Sequence, residues 1–283
     1  MKIAVLSGKG GTGKTTVSNN LAALMTEATI IDCDVEEPNS FIFLKPTVEK
    51  EEDICVEYPV VDDLRCKHCK KCAAFCHYNA IIAGTLLTLP MKEICHDCGG
   101  CAIVCPESAI EYQTRTIGRI FSGRAVTGNK MVYGVLNPGE LSGVRIINQV
   151  KKIVQNDPIV IVDSPPGTSC STVAAVEGCD FAIIVTEPTP FGVSDMKMVV
   201  EMLRSMSIPM AVVINKAGLG DDEVYKYCHD EKLEIIGEIS FDKTIAEAYA
   251  KGELAVDVSE EKRISFTQLW GAIHGIIEVT YDH

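Results

Sequence analysis

Short apolar runs alternate along the chain with stretches whose apolar residues recur every three or four positions. Residues 2–7 (KIAVLS) read as a buried strand, 14–26 as a helix and 29–33 (TIIDC) as a second strand. The rhythm then stops. It resumes near Met131, with strands expected at 131–136, 158–163, 181–186, 210–214 and 234–239. Helices are expected between them, at 141–155, 170–178, 192–206, 221–231, 243–250 and 263–277. That order predicts an α/β domain, a parallel sheet with helices on both faces. The interruption, 60–117, is too poor in apolar residues for a large core of its own. It predicts a small inserted domain inside a discontinuous one, 1–59 and 118–283.

The inserted stretch repeats itself. Cys66, Cys69, Cys72 and Cys76 form a C-x2-C-x2-C-x3-C run, and Cys95, Cys98, Cys101 and Cys105 form a second, each 29 residues on. This is the spacing of a bacterial-type ferredoxin with two 4Fe–4S clusters, in which the fourth Cys of each run serves the other cluster. Cluster one would take Cys66, Cys69, Cys72 and Cys105, and cluster two Cys95, Cys98, Cys101 and Cys76. Thiolates are soft, anionic ligands suited to iron, and shared ligands would tie the halves into an α+β fold. Paired C-x-x-C motifs also suit zinc, so two zinc sites are the alternative. Pro106 follows the second run, whereas His77 stands at that place in the first. His68 and His96 lie between ligands and read as loop residues. Lys67, Lys70 and Lys71 form a small basic patch, either a solvated face or a docking spot for an acidic electron carrier. Cys33, Cys55, Cys170, Cys179 and Cys228 are scattered and read as buried or partly buried thiols.

Residues 8–15, GKGGTGKT, fit the phosphate-loop pattern G-x-x-x-x-G-K-[ST] after a strand and before a helix. In a P-loop NTPase sheet, the backbone of Gly8, Gly10, Gly11, Thr12, Gly13, Thr15 and Thr16 would cradle phosphates at the positive end of the helix. Lys14 would reach the β- and γ-phosphates, and the Thr15 hydroxyl would bind Mg²⁺. Asp163 ends the run IVIVD and would hold Mg²⁺, with Gly167 offering its N–H to the γ-phosphate. Asp34 would orient the attacking water or assist the metal. Asp32 reads either in that role or as a residue that holds the loop.

The 283 residues carry a net charge of −13, which argues against binding a phosphate backbone or anionic lipid. The N-terminus reads as a first strand rather than a signal peptide, and no apolar stretch reaches the ~18 residues of a membrane span. Thirteen cysteines without a disulfide pattern agree with a cytoplasmic chain. The spacing of Trp270, Ile273, Ile276 and Ile277 reads as core packing of a last helix rather than a membrane anchor.

GKGGTGKT, DCDVEEPN (32–39), IVDSPPGT (161–168), VTEPTPFG (185–192) and INKAG (214–218) together resemble the deviant Walker A ATPases, which include MinD, ParA, Mrp and the nitrogenase iron protein. The resemblance implies that Lys9 reaches a partner's nucleotide across a dimer and that Asn215 contacts the base. With the inserted cysteines and the segment NPGELSG (137–143), the chain is most similar to MinD-superfamily (Mrp-like) ATPases carrying a ferredoxin insertion. It implies slow, partner-stimulated ATP hydrolysis with ATP/ADP, Mg²⁺ and two 4Fe–4S clusters as cofactors. Lys9, Lys14, Asp34 and Asp163 would form the catalytic set. The expected assembly is a homodimer or a heterodimer with a related ATPase, serving a redox or iron–sulfur partner protein. The first functional expectation is nucleotide state coupled to electron transfer or redox sensing. The alternatives are an iron–sulfur carrier or assembly factor of Mrp type, and a MinD/ParA-like positioning switch. Mrp-like carriers use a late C-x-x-C pair, which this chain lacks.

Overall fold

The structure is a computed structural model that describes residues 1–25 and 27–281, with side chains described through residue 276. In chain order its elements are β1 (Lys2–Leu6), α1 (Lys14–Leu24), β2 (Thr29–Asp32), α2 (Ser40–Leu44), β3 (Thr47–Val61), α3 (Lys71–Phe75), β4 (Ile81–Ala83), β5 (Thr88–Pro90), α4 (Gly100–Ile103), β6 (Ile110–Arg124) and β7 (Lys130–Leu136). There follow α5 (Val144–Ile153), β8 (Val160–Asp163), α6 (Cys170–Val176), β9 (Phe181–Thr186), α7 (Pro190–Ser205), β10 (Met210–Ala217), α8 (Glu223–Asp230), β11 (Ile235–Ser240), α9 (Lys243–Ala250) and α10 (Glu260–Tyr281). The sheet order is β11-β10-β9-β1-β8-β2-β7-β6-β3, and every pairing from β11 to β7 is parallel. A mostly parallel sheet of this kind, with interspersed helices, fits the α/β fold expected of a P-loop NTPase. Among the described residues no helix is long and apolar enough to cross a membrane.

The residues divide into two compact units, 1–51 with 120–135 and 143–283, and 52–119 with 136–142. In the first, β1, β8 and β9 are buried along nearly their whole length, so their alternate side chains feed cores on both faces. One core joins Ile3, Val5, Leu21, Ile30, Phe181, Val213, Phe266 and Leu269. Burying each such side chain stabilises by about 1.5–3 kcal/mol. Ile273 is fully buried in this core, with Trp270 and Ile276 packed against it, as expected of core packing. The Ile277 side chain lies outside the described residues.

β3 and β6 were not expected. Both are 15-residue strands. The early part of β3, Thr47–Glu51, is exposed and charged, and only beyond it does every second residue become partly buried. A polar ribbon of that kind carries no apolar run to mark it as a strand. The segment 136–142 groups with the second unit rather than the first. Asn137 Nδ2 donates to the Thr116 carbonyl at 3.1 Å, its N–H donates to the Ile117 carbonyl at 2.9 Å, and Arg115 pairs with Glu140.

One buried amide fastens the end of α1. Asn129 is fully buried, and its Nδ2 donates to the carbonyls of Ala22 (3.1 Å), Ala28 (2.9 Å) and Met25. Asn129→Ala removes this shared donor, although the Ala22 and Met25 carbonyls keep the N–H groups of Met25 and Ala28, so chemical denaturation should register a loss of about 1–3 kcal/mol. A neutral substitution would contradict this role.

Candidate functional site

The first unit places a cavity of about 350 Å³ at the C-terminal ends of its parallel strands, a volume suited to a small ligand. Gly10, Gly11, Gly13, Lys14, Thr15 and Thr16 line it, with Asp34 and Asn215. Gly13 turns the loop into α1 at φ +96°, and a Cβ there would sit 2.1 Å from Asn215 Nδ2. That amide instead donates to the Thr12 carbonyl at 2.7 Å and braces the loop across the sheet. Asn215 therefore holds the loop while lining the cavity. Gly8 packs against α7, where a Cβ would meet Asp195 at 2.4 Å, and is not among the residues that line the cavity. Thr12 is buried as well, with its Oγ1 free of hydrogen bonds.

Lys14 gathers the acidic residues. Its Nζ lies 3.7 Å from Asp34 and 3.6 Å from Asp163. Burial alone would lower the lysine pKa, but Asp163, Asp34 and Asp32 outweigh it and the net shift is upward. Burial raises the Asp34 carboxyl against the pull of Lys14. Asp32 is raised by burial and then by Asp163. Asp32 accepts the backbone N–H groups of Asp34 (3.0 Å), Asn39 (3.0 Å) and Ser40 (2.9 Å). Its geometry is that of a loop holder. Asp163 Oδ2 accepts from Ser40 at 3.2 Å, while Oδ1 is buried without a hydrogen bond.

Two expected residues are placed otherwise. The Gly167 N–H is not offered to the cavity: it donates to the Ser7 carbonyl at 2.8 Å, and Pro166 lines the cavity instead. Use of that amide on a phosphate requires breaking this bond. Lys9 lies 3.7 Å from Glu187. Glu187 also takes Lys216, at 2.6 Å. Thr189 caps α7 through the Gly192 N–H at 3.0 Å, and a Cβ on Gly192 would strike the Glu187 carbonyl at 2.2 Å. The turn thus presents Glu187 to both lysines. Nothing but its place in VTEPTPFG marked Glu187 in the sequence. Phe241, Asp242, Ile245 and Tyr249, which complete the far wall, carried no motif at all.

The second unit repeats its backbone as well as its cysteines. Left-handed residues recur in pairs 29 apart: His68 (φ 49°) and Asp97 (53°), Lys70 (64°) and Gly99 (74°), Asn79 (53°) and Ser108 (49°). Each fourth cysteine accepts a backbone N–H at 3.3 Å, Cys76 from Ala80 and Cys105 from Ala109. Cys66, Cys69, Cys72 and Cys105 line one cavity, with Val61, Thr88 and Ile110 among its other walls. Burial raises the Cys72 thiol, with Cys101 and Cys105 adding to it. Burial likewise raises Cys95, whose sulfur also feels Cys101 and Cys98. Cys76, the repeat mate of Cys105, was expected to complete the second set. Tyr112 Oη lies 2.9 Å from Cys101 Sγ, and burial together with that bond raises its phenol. Lys67 pairs with Glu107 at 2.9 Å; their mates, His96 and Tyr78, stack at 3.6 Å. His77 is exposed beside Cys76. Of the scattered cysteines, Cys33, Cys179 and Cys228 are buried, whereas Cys55 and Cys170 are exposed, contrary to expectation.

Among the described residues no three Cys, His, Asp or Glu side chains gather tightly enough to hold a single ion. Four thiols, those of Cys66, Cys69, Cys72 and Cys105, nonetheless line one small cavity.

The CbiA family model, described as the CobQ/CobB/MinD/ParA nucleotide binding domain, matches residues 3–256. The chain belongs to this family. It is 33% identical over 265 residues to the uncharacterised protein MJ0579 of Methanocaldococcus jannaschii, spanning 89% of this chain and 90% of that one. It is 29% identical over 245 residues to the iron-sulfur cluster carrier protein of Pyrococcus abyssi, spanning 84% and 67% of the two chains. Its fold is similar to that of the septum site-determining protein MinD complexed with Mg-ADP from Pyrococcus horikoshii, with a TM-score of 0.59, 18% identity, and coverage of 95% and 93%. The family and this fold make the chain a P-loop protein of MinD/ParA type.

Proposed function

We propose that the chain binds and hydrolyses ATP as a dimer and uses its nucleotide state to govern iron–sulfur clusters held by its second unit, as a cluster carrier. The cavity walled by Cys66, Cys69, Cys72 and Cys105 carries the proposal, in a chain 29% identical over 245 residues to a named carrier. That relative's name favours carriage over electron transfer, so the alternative function stands ahead of the first expectation.

The chain's own groups supply the nucleotide chemistry. Main-chain amides of the loop and the start of α1 bind phosphate oxygens. Lys14, already poised among carboxylates, turns to the γ-phosphate and balances charge that develops there. Mg²⁺ would be held by Thr15 with Asp163 and Asp34; Asp163 Oδ1, buried without a hydrogen bond and facing the Lys14 ammonium at 3.6 Å, fits such a cation. When bound, it neutralises phosphate charge. Asp34, partly exposed at the cavity, would orient the water, a role its position beside Lys14 supports. Lys9 must leave Glu187 to reach a partner's nucleotide, so dimerisation and release of that ion pair go together.

Electron transfer is the second reading. It is favoured by the sharing of thiols between the two halves: Cys105 of the second run stands with Cys66, Cys69 and Cys72 of the first. Release of a cluster would open both halves at once. The test is anaerobic transfer from the iron-loaded chain to an iron-free four-cysteine acceptor, with and without Mg-ATP. Carriage predicts transfer that depends on ATP and loses that dependence in Lys9→Ala without loss of bound iron. Equal transfer with and without nucleotide contradicts it. Complete retention, with a nucleotide-dependent reduction potential, moves the assignment to electron transfer.

A further inference from the structure

We propose that Tyr112 raises the reduction potential of the Cys95/Cys98/Cys101/Cys76 site through a hydrogen bond to Cys101 that is closer than the side-chain contacts at Cys66 of the other site. The inference rests on the four-iron reading of the cysteines.

The 29-residue repeat acts as an internal control. The backbone donors to the fourth cysteines come as a pair. Ala80 N–H to Cys76 and Ala109 N–H to Cys105 have the same 3.3 Å length, so their effects are shared by the two sites. Tyr112 breaks the symmetry. Its Oη is 2.9 Å from Cys101 Sγ. The mate of Cys101 is Cys72, and the mate of Tyr112 is Ala83, whose methyl group donates nothing. In the first set, the side-chain donors at the sulfurs are more distant: Thr88 Oγ1 and His68 Nδ1 each lie 3.7 Å from Cys66 Sγ. These two also face each other at 3.2 Å, which divides their bonding.

Direction follows from charge. A cysteine that ligates iron has lost its proton, so in the Tyr112–Cys101 contact the phenol must donate. Adding one electron to a thiolate-bound site increases negative charge on its sulfurs. A donor aimed at one sulfur therefore stabilises the reduced form more than the oxidised form and raises the potential. Lys70 and Lys71, at the rim of the first cavity, are exposed, so water and salt screen their effect on that site. Tyr112 is partly buried in the small core with Cys101 and Ile110, where the local dielectric is lower.

The phenol is a tuning residue rather than a ligand, and a potential separates that role from packing. The experiment is a potentiometric titration of the anaerobically reconstituted full chain, with dithionite as one-electron donor and both sites followed by electron paramagnetic resonance. Tyr112→Phe keeps the ring and removes the donor. It should lower one of the two potentials by about a tenfold change in reduction equilibrium, ~59 mV for a one-electron couple, and leave the other in place. Replacing Tyr112 by 3-fluorotyrosine, a more acidic phenol and a stronger donor, should move the same potential upward. Opposite signs from two ring-preserving changes do not arise from packing. Unchanged potentials, equal shifts at both sites, or shifts of the same sign overturn the proposal. A wild-type chain that fails to hold two four-iron sites overturns the underlying reading instead, so the two failures are distinct.

Discussion

Lys14→Ala lowers the turnover of ATP by about 10²–10³-fold, the cost of removing one charge-stabilising donor from a reacting phosphate. The same change also destabilises the protein without nucleotide. Lys14 is almost buried and is the cation within 4 Å of both Asp34 and Asp163. Removing one partner from such a buried cluster typically costs about 3–5 kcal/mol, because the remaining charges stay out of water. The loss has a pH signature. Asp32 and Asp34 are already raised above the ordinary carboxylate range by burial. A carboxyl raised on folding takes up a proton as the chain folds, so stability falls as pH rises from the ordinary carboxylate range through the folded value. Without Lys14 these groups rise further. The melting-temperature gap between variant and wild type should therefore be wide at pH 8 and narrow at pH 5. A gap independent of pH would contradict the electrostatic account of the cluster.

Cys105→Ser reduces bound iron from about eight to about four per chain, since serine replaces a soft thiolate by a poor iron ligand at the first site only. It also lowers the thermal stability of the second unit more than a surface substitution would. That unit's core is small: Cys72, Ile81, Cys101 and Ile110, with Val61, Ala73, Ala102, Cys105 and Tyr112 against it. Leu64, Leu86 and Ile103 stay exposed, so apolar burial there is slight. Small domains of this kind depend on metal or other cross-links for stability. Four of the nine core side chains are the two buried thiols, Cys105 and the phenol that touches Cys101. A serine variant that keeps all its iron would remove Cys105 from the ligand set.

What could be read from the chain follows from which residues advertise their role. A buried strand is an apolar run, so β1, β8, β9 and β10 were legible to within a few residues. The loop from Gly8 to Thr15 was legible because glycines, lysine and threonine stand at fixed spacing. The 29-residue repeat was legible for the same reason, and the recurrence of left-handed backbone at 29 residues matches its spacing. β3 was hidden because its early residues face water, and α2 because five residues carry too little periodicity. The Gly167 amide's bond to the Ser7 carbonyl was not legible because sequence does not say which carbonyl an N–H already satisfies. Glu187 was missed because its importance comes from two lysines, Lys9 and Lys216, that fold against it from distant parts of the chain.

The most direct test is the iron and acid-labile sulfide content of the full chain after anaerobic reconstitution. The account predicts about eight irons and about eight sulfides per chain, the content of two 4Fe–4S clusters. Two zinc ions with no sulfide, or iron that does not exceed about one per four cysteines, would contradict it.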